Sequence, residues 1–306
     1  MYKYKTSNKG DCPLYLGAHY SGLAEAAVAV LGTADPGGKV ALSRRIAAAW
    51  AAGKIAEVGV AEAPTRPARP ARPELRPPRE MPRRRLGPGP GKGRPGGEAG
   101  RIALYHALAH IELNAIDLAW DIIARFTGPR FTGPRFTGEA PPRGFYDDWV
   151  KVADDEARHF ALLARRLAAL GAGYGDLPAH DGLWEAAEAT AHDLLARLAV
   201  VPLVLEARGL DVTPGLIAKL AATGDREGVA ALEVIYQDEI AHVAAGKRWF
   251  DWLCACRGLA PEAAWRDLVA RHFKGAIKPP FNAEARLAAG LPPSFYQAMA
   301  REAPGG

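Results

Sequence analysis

Two five-residue segments with the same pattern constrain this chain more than any other feature. Residues 155–159 read Asp-Glu-Ala-Arg-His, and residues 238–242 read Asp-Glu-Ile-Ala-His. Both lie in Ala- and Leu-rich stretches without glycine or proline, a composition that favours helices. On a helix, a glutamate and the histidine three residues later share one face. One ion can therefore take a carboxylate oxygen and an imidazole nitrogen from a single turn.

Two further glutamates complete a recognisable set of ligands. Glu112 lies in Ala-His-Ile-Glu-Leu and Glu206 in Val-Pro-Leu-Val-Leu-Glu, so each is a lone carboxylate among apolar residues, where it is costly unless something neutralises it. The order Glu, Glu-x-x-His, Glu, Glu-x-x-His is that of di-iron and di-manganese helical bundles. The sequence therefore predicts a site for two metal ions with six ligands: Glu112, Glu156, His159, Glu206, Glu239 and His242.

The aspartates that precede the two ligand glutamates are candidates for orienting the histidines. A histidine that binds metal usually donates its other N–H to a carboxylate or a carbonyl. We predict that Asp238 orients His159 and that Asp155 orients His242. The alternative is that both aspartates are ordinary charges on the exposed side of a helix.

Four long helices are expected at residues 98–126, 145–170, 181–208 and 225–257. Gly209 is expected to end the third, with a short helical piece following from Thr213. The predicted fold is all-α, a ferritin-like four-helix bundle with extra N-terminal and C-terminal helices. The predicted units are an N-terminal helical segment at 1–61, a Pro/Arg-rich linker at 62–97, the di-metal bundle at 98–258 and a C-terminal helical arm at 259–306.

The basic character of the chain comes from the linker. The formal net charge is +5, but residues 62–100 contain nine Arg and one Lys against four Glu, which leaves the rest of the chain slightly acidic. Proline at every third residue favours an extended backbone. We interpret the linker as a stiff spacer or as a strap over the bundle. Contact with nucleic acid is the weaker alternative, because the arginines are not interleaved with aromatic residues.

Other sequence features bear on the expected location of the protein and on its loops. An Arg-Phe-Thr-Gly repeat at residues 125–139 indicates a duplicated loop without an assigned role. Three cysteines make no disulfide framework, and no apolar run has the length of a membrane span. We expect a cytoplasmic protein that has no contact with a membrane.

Several segments resemble a bacterial ferritin-like family that is filed as a domain of unknown function. They include the helix around Glu112, the segment from Phe145 through His159, Leu205-Glu-Ala-Arg-Gly-Leu-Asp211 and Gln237 through His242. The resemblance covers about Ser21 to Gly290 and implies the bundle and its di-metal ligands. It implies no reaction. More distantly, the ligand order resembles that of ferritin-like hydroxylases and of the ribonucleotide reductase small subunit.

Three functions are compatible with these patterns. The first is an O₂-activating oxidoreductase, such as a hydroxylase, with two Fe ions, with Mn or a mixed Fe/Mn pair as the variant; it needs a substrate and an electron donor. The second is an iron-handling or peroxide-scavenging protein without an organic substrate. The third is a metal-free binding or scaffold module. Because arms at both ends would obstruct a cage, we expect a monomer or a dimer.

Overall fold

The computed structural model describes residues 20–84, 86, 97–127 and 140–300. Over these residues the chain is helical and forms no β-strand, which confirms the all-α class. Within the same ranges, no helix has the length and apolar character needed to cross a membrane. The Arg-Phe-Thr-Gly repeat lies outside the described residues beyond Thr127.

The helices follow the expected order along the chain. A π-helical segment covers Val201–Glu206, and short 3₁₀ turns cover Pro78–Glu80 and Gln297–Met299. The α-helices are α1 Leu23–Leu31, α2 Pro36–Ala51, α3 Glu98–Arg125, α4 Arg143–Ala169, α5 Gly182–Ala189, α6 Leu194–Val200, α7 Ala207–Ala222, α8 Arg226–Cys256, α9 Pro261–His272, α10 Ala283–Ala288 and α11 Pro293–Tyr296.

Aspartate caps define the starts of two helices. The Asp35 carboxylate accepts a hydrogen bond from the Gly38 N–H at 2.7 Å, and Pro36 occupies the first helical position. The Asp225 carboxylate accepts from the Gly228 N–H at 3.0 Å at the start of α8. Each cap satisfies a backbone donor that the first turn of a helix leaves without a partner, so these starts follow from local sequence.

The third predicted helix differs from the structure in two ways. It is interrupted between α5 and α6, before the residues that carry Glu206, and it does not end at Gly209. From Leu194 the chain passes through the π-helical segment into α7, which reaches Ala222 and has Gly209 and Pro214 inside it. The predicted stop at Gly209 was therefore wrong: a helical glycine costs only about 1 kcal/mol relative to alanine, which packing can offset.

Contacts with the C-terminal arm explain why α7 tolerates Pro214. Proline has no N–H, so the carbonyl four residues earlier, that of Leu210, loses its usual helical donor. The Asn282 side-chain amide donates to that carbonyl at 3.2 Å. Asn282 also donates to the Tyr236 hydroxyl at 2.8 Å, which ties the arm to α8. A tertiary hydrogen bond thus replaces the one that proline removes.

The long helices pack in pairs around a shared interior. α3 packs against α4, α4 against α8, and both the π-helical segment and α7 against α8, while α1 and α2 cover α3 and α4. Gly246 of α8 faces Pro202 so closely that an added Cβ would lie 2.3 Å from the proline Cβ. This close approach holds the π-helical segment, and Glu206 at its end, against α8.

The described part of the Pro/Arg-rich linker lies along the helices. The Arg76 N–H donates to the Ala179 carbonyl at 2.8 Å, and the Ala179 N–H donates to the Glu74 carbonyl at 3.0 Å. The Arg125 guanidinium donates to the Pro64 carbonyl at 2.7 Å. These bonds hold the extended backbone against the end of α3 and against the loop that precedes α5.

Candidate metal centre

Four of the six predicted ligands converge at one point in the interior. One ligand atom from each of Glu112, Glu156, His159 and Glu239 lies within 4.8 Å of the others. Glu156 and His159 come from one turn of α4, Glu112 from α3 and Glu239 from α8. Glu112, Glu156 and His159 are almost inaccessible and the Glu239 side chain is 12% exposed, so the cluster is largely shielded from solvent.

The two histidines face each other across Glu156. His159 Nδ1 lies 3.3 Å from one Glu156 oxygen, and His242 Nδ1 lies 3.2 Å from the other. His159 Nδ1 is also 3.3 Å from a Glu112 oxygen, and His242 Nδ1 is 3.8 Å from a Glu239 oxygen. Both imidazoles therefore present Nδ1 to the carboxylates, which leaves Nε2 for another partner.

Each Nε2 lies next to an aspartate from the opposite Asp-Glu-x-x-His turn. His159 Nε2 is 2.9 Å from Asp238 Oδ2, and His242 Nε2 is 3.3 Å from Asp155 Oδ2. Each helix thus supplies an aspartate to the histidine of the other helix across the α4–α8 interface. An Nε2–H donated to an aspartate would leave the Nδ1 lone pair directed at the carboxylate cluster.

Arg158 is a further member of this arrangement that the sequence analysis did not single out. Its guanidinium donates to Asp155 at 3.1 Å and also contacts Asp238, so one cation bridges the two aspartates. Lys151 adds a contact to Asp155 at 2.7 Å. The signal was present as an arginine inside the first Asp-Glu-x-x-His turn, but its position on the helix does not reveal which partners it reaches.

The cluster contains buried polar atoms that the protein itself does not satisfy. One side-chain atom has no partner in hydrogen-bond geometry in each of five predicted ligands, Glu112, Glu156, Glu206, Glu239 and His242. For Glu112, Glu156 and His242 that atom keeps an imidazole–carboxylate contact of 3.2 or 3.3 Å. Buried polar atoms are nearly always hydrogen-bonded, and leaving one without a partner costs about 1–3 kcal/mol. Carboxylate oxygens and imidazole nitrogens are also the donors that iron and manganese accept. The residues present therefore fit a pair of divalent ions.

Burial changes the acidity of the glutamates. Desolvation, with the nearby Glu156 charge, raises the pKa of Glu112 to about 8, and desolvation raises the pKa of Glu206 to about 7. The same effects raise the pKa of Glu239 well above its ordinary value. Burial acts on Glu156 in the same direction, but its bonds to the two histidines outweigh burial and lower its pKa. Without metal, burial therefore favours the protonated form of Glu112, Glu206 and Glu239.

Burial and the neighbouring carboxylates also act on the pKa values of the two histidines, and here burial lowers the pKa. Burial alone would lower the pKa of His159, but its bonds to Asp238, Glu112 and Glu156 raise it strongly. Asp155 and Glu156 likewise raise the pKa of His242 against the effect of burial. These contacts favour the protonated imidazole in the metal-free cluster, and an ion that binds through Nδ1 must displace that proton.

Glu206 shares a cavity of about 180 Å³ with the glutamates of the cluster. This cavity is lined by Glu112, Glu156, Glu206 and Glu239, and otherwise almost entirely by apolar side chains of α3, the π-helical segment, α7 and α8. Glu206 is only partly buried, whereas Glu156 is inaccessible. The structure thus brings all four glutamates to one cavity wall. The cavity itself has no signature in the sequence, because its residues come from separate elements.

Comparisons with known proteins support a single family. The family model described as "Protein of unknown function (DUF455)" matches residues 32–297. A relative from Haemophilus influenzae (strain ATCC 51907 / DSM 11121 / KW20 / Rd), described as "Uncharacterized protein", is 44% identical over 198 residues. The alignment covers 63% of this chain and spans 66% of the length of that relative. No solved structure matches the chain.

Proposed function

The chain belongs to the family of proteins of unknown function described as DUF455, and on that premise we propose that it is a di-metal carboxylate protein that activates O₂ to oxidise an organic substrate. The observation that carries this proposal is the buried cluster of glutamates and histidines with unsatisfied oxygen and nitrogen atoms. Iron is the metal we favour, with manganese or a mixed pair as the variant. The proposal includes a ferritin-like arrangement of α3, α4, the Glu206-bearing segment and α8.

The contacts of the histidines and of Glu156 indicate which of their atoms would bind the two ions. His159 and His242 would bind through Nδ1, because their Nε2 atoms face Asp238 and Asp155. Glu156 would help to hold the ions, since one of its oxygens lies near each of the two histidines. Four glutamates and two divalent ions have no net charge, which removes the electrostatic penalty of burying the carboxylates.

The exchanged aspartates have a positioning role in this proposal. Each would hold an imidazole in the tautomer that carries its proton on Nε2, and so fix the direction of the metal-binding lone pair. Bonds to His242 and Lys151 outweigh burial and lower the pKa of Asp155 to about 2, and contacts with His159 lower the pKa of Asp238. Both aspartates are therefore charged acceptors at neutral pH.

The cavity favours an enzyme over an iron-handling protein. A bound pair of redox-active ions would supply electrons for the reduction of O₂. In a hydroxylation, one oxygen atom would enter a C–H bond of the substrate, and the other would leave as water with two electrons and two protons from an external donor. Storage of iron needs no apolar space beside the carboxylates, whereas an organic substrate does.

Anaerobic loading with Fe(II) followed by O₂ tests the proposal. We expect about two Fe(II) per chain, uptake of O₂ in proportion to bound Fe(II), and a new near-ultraviolet absorption band. Protein that binds less than about one metal ion per two chains under iron-replete conditions would contradict it and favour a scaffold. Native mass separates the remaining alternative: a monomer or dimer agrees with an enzyme, whereas a 24-subunit shell would indicate iron storage.

A further inference from the structure

The cavity beside the glutamates has the size and lining of a ligand site. Its volume of about 180 Å³ is comparable with the roughly 150 Å³ of an apolar protein cavity that binds benzene. Away from the glutamates its wall is formed mainly by aliphatic side chains, among them Ala115, Leu118, Leu232 and Ile235. A site of this volume holds a molecule of about six to eight non-hydrogen atoms.

The cavity extends from the glutamates along α7. Glu206, Gly209, Thr213 and Leu216 all line it, at spacings of three or four residues that place them on one helix face. At 1.5 Å per residue this face covers about 15 Å from Glu206 to Leu216. A ligand in the cavity would therefore have one end against the carboxylates.

Several apolar residues that line the cavity are also exposed to solvent. Ile111 lines it and is 39% exposed, an unusual degree of exposure for an isoleucine in this protein. Leu108, Leu183 and Leu205 are partly exposed at the same cavity. A lining that is apolar both in the interior and at its solvent-exposed residues favours a ligand that gains free energy by leaving water.

Charge at the cavity disfavours an ionic ligand. Burial favours the neutral form of Glu112, Glu206 and Glu239 without metal, and the four carboxylates with two divalent ions have no net charge, so neither state leaves a net charge on the wall to pair with an ionic ligand. Arg208 is the cation of the wall, and its Nη1 donates to the Lys278 and Pro280 carbonyls at 3.0 and 2.9 Å. The C-terminal arm therefore holds the guanidinium.

We propose that this cavity binds a small, uncharged, apolar molecule or the apolar end of a larger one, and that this group is what the metal centre acts on. The assignment of the bound group as substrate rests on the proposed function. The binding itself depends only on the cavity, so the two can be tested separately.

A matched pair of ligands tests the chemistry of the site. Binding of fluorobenzene and of 4-fluorobenzoate to the full-length protein is measured by ¹⁹F NMR. We expect fluorobenzene to bind in the millimolar range or tighter, and 4-fluorobenzoate at least tenfold more weakly. Equal binding of the two, or no binding of fluorobenzene, would overturn the inference.

A matched pair of variants tests the location. Gly209 and Gly215 both lie in α7, and a Cβ added at either meets no atom within 4 Å, but Gly209 lines the cavity and Gly215 does not. Both Gly209→Leu and Gly215→Leu replace a helical glycine with a good helix former, so both variants should fold. Fluorobenzene binding should weaken at least tenfold in Gly209→Leu and stay unchanged in Gly215→Leu. Unchanged binding in Gly209→Leu would overturn the inference.

Metal content of the same samples distinguishes the two proposals. Wild-type protein with two ions per chain and no affinity for fluorobenzene would refute the ligand site and leave the di-metal proposal intact. Protein that binds fluorobenzene in the Gly209-dependent way but takes up no metal would support the cavity and refute the proposed function.

Discussion

Helix α3 carries two kinds of buried carboxylate, and their partners differ. Asp117 pairs with the buried Lys39, and Asp121 accepts from Arg197 and Arg125, each at 2.6 Å. About one and a half turns from Asp117 and two and a half turns from Asp121 on the same helix, Glu112 has His159 and the other carboxylates of the cluster as its polar neighbours. All three carboxylates are almost inaccessible to solvent. Burial alone therefore does not distinguish a carboxylate with a cationic partner from one without.

The difference lies in how completely each cluster is satisfied. Arg197 donates to Asp121, to the Ala187 carbonyl at 2.7 Å and to the Thr190 hydroxyl at 3.0 Å, so its charge and its donors are both used. The glutamate–histidine cluster instead keeps buried oxygens and a nitrogen without hydrogen bonds. The first arrangement is complete in the protein itself, whereas the second leaves atoms that bound cations would satisfy. The predictions below test this contrast.

The largest expected effect is the loss of both metal ions from the double variant Glu156→Ala and Glu239→Ala. The substitutions remove the central carboxylate and a second one from α8, so neither ion keeps enough ligands. Metal content measured by mass spectrometry should fall from about two ions per chain to near zero. The control, Glu185→Ala with Glu233→Ala, removes two exposed helical glutamates and should keep full content. Equal content in both double variants would refute the site.

Mutation of the carboxylates that have cationic partners should reduce stability and leave metal binding intact. Asp121→Asn leaves the Arg197 charge buried without its carboxylate, and removing one partner of a buried pair costs about 3–5 kcal/mol. Urea unfolding should show this loss, while the folded variant still binds two ions. Asp267→Asn breaks the exposed Arg271–Asp267 pair and should cost no more than about 1 kcal/mol. Similar losses of unfolding free energy in the two variants would contradict the structural role of the buried Asp121–Arg197 pair.

A smaller effect is expected for Asp238→Asn, which changes the partner of His159 Nε2 and no predicted ligand. Loss of such an orienting carboxylate weakens metal binding by about 10–100-fold. Competition with a chelator under anaerobic conditions should measure this change, with far-ultraviolet circular dichroism unchanged. Asp154→Asn on α4, whose carboxylate pairs with Arg44 near the surface, is the control and should bind metal as the wild type does. An unaltered affinity in Asp238→Asn would assign Asp238 to packing alone.

The most gradual effect is a rise in metal affinity with pH. Below its raised pKa of about 8 Glu112 holds a proton, as Glu206 does below about 7, and a metal ion must displace these protons. Affinity should therefore increase through the range from pH 6 to 8, by about tenfold per pH unit for each proton displaced. Calorimetry in two buffers of different ionisation enthalpy counts the protons released. Binding at pH 6.5 without proton release would contradict the protonated state of the cluster.

Local features of this protein were readable from sequence with good accuracy. The bounds of α3, α4 and α8 lie within about two residues of those expected, because helix-favouring composition and, for α8, the Asp225 cap act over short distances. The shared face of Glu156 and His159, and of Glu239 and His242, follows from helical spacing alone. The family resemblance was also correct as far as DUF455, whereas the ferritin-like superfamily and the roles of the six ligands stay predictions.

The path of the chain around Glu206 could not be read locally. Glycine and proline weaken a helix in isolation, so Gly209 and Pro214 indicated breaks. In the folded protein, Asn282 from the C-terminal arm donates to the carbonyl that Pro214 leaves free, and α7 continues. That compensation joins residues about seventy positions apart, beyond the reach of any local pattern.

Sequence by itself determined which residues share a helical turn, because backbone geometry sets the spacing of side chains along one helix. Tertiary structure decided what those turns face: the exchange of Asp155 and Asp238 between helices, the cations that complete Asp117 and Asp121, and the cavity beside the glutamates. These features depend on distances between elements that are remote in the chain. Whether a buried carboxylate is paired or left open to a metal is settled only when the helices pack.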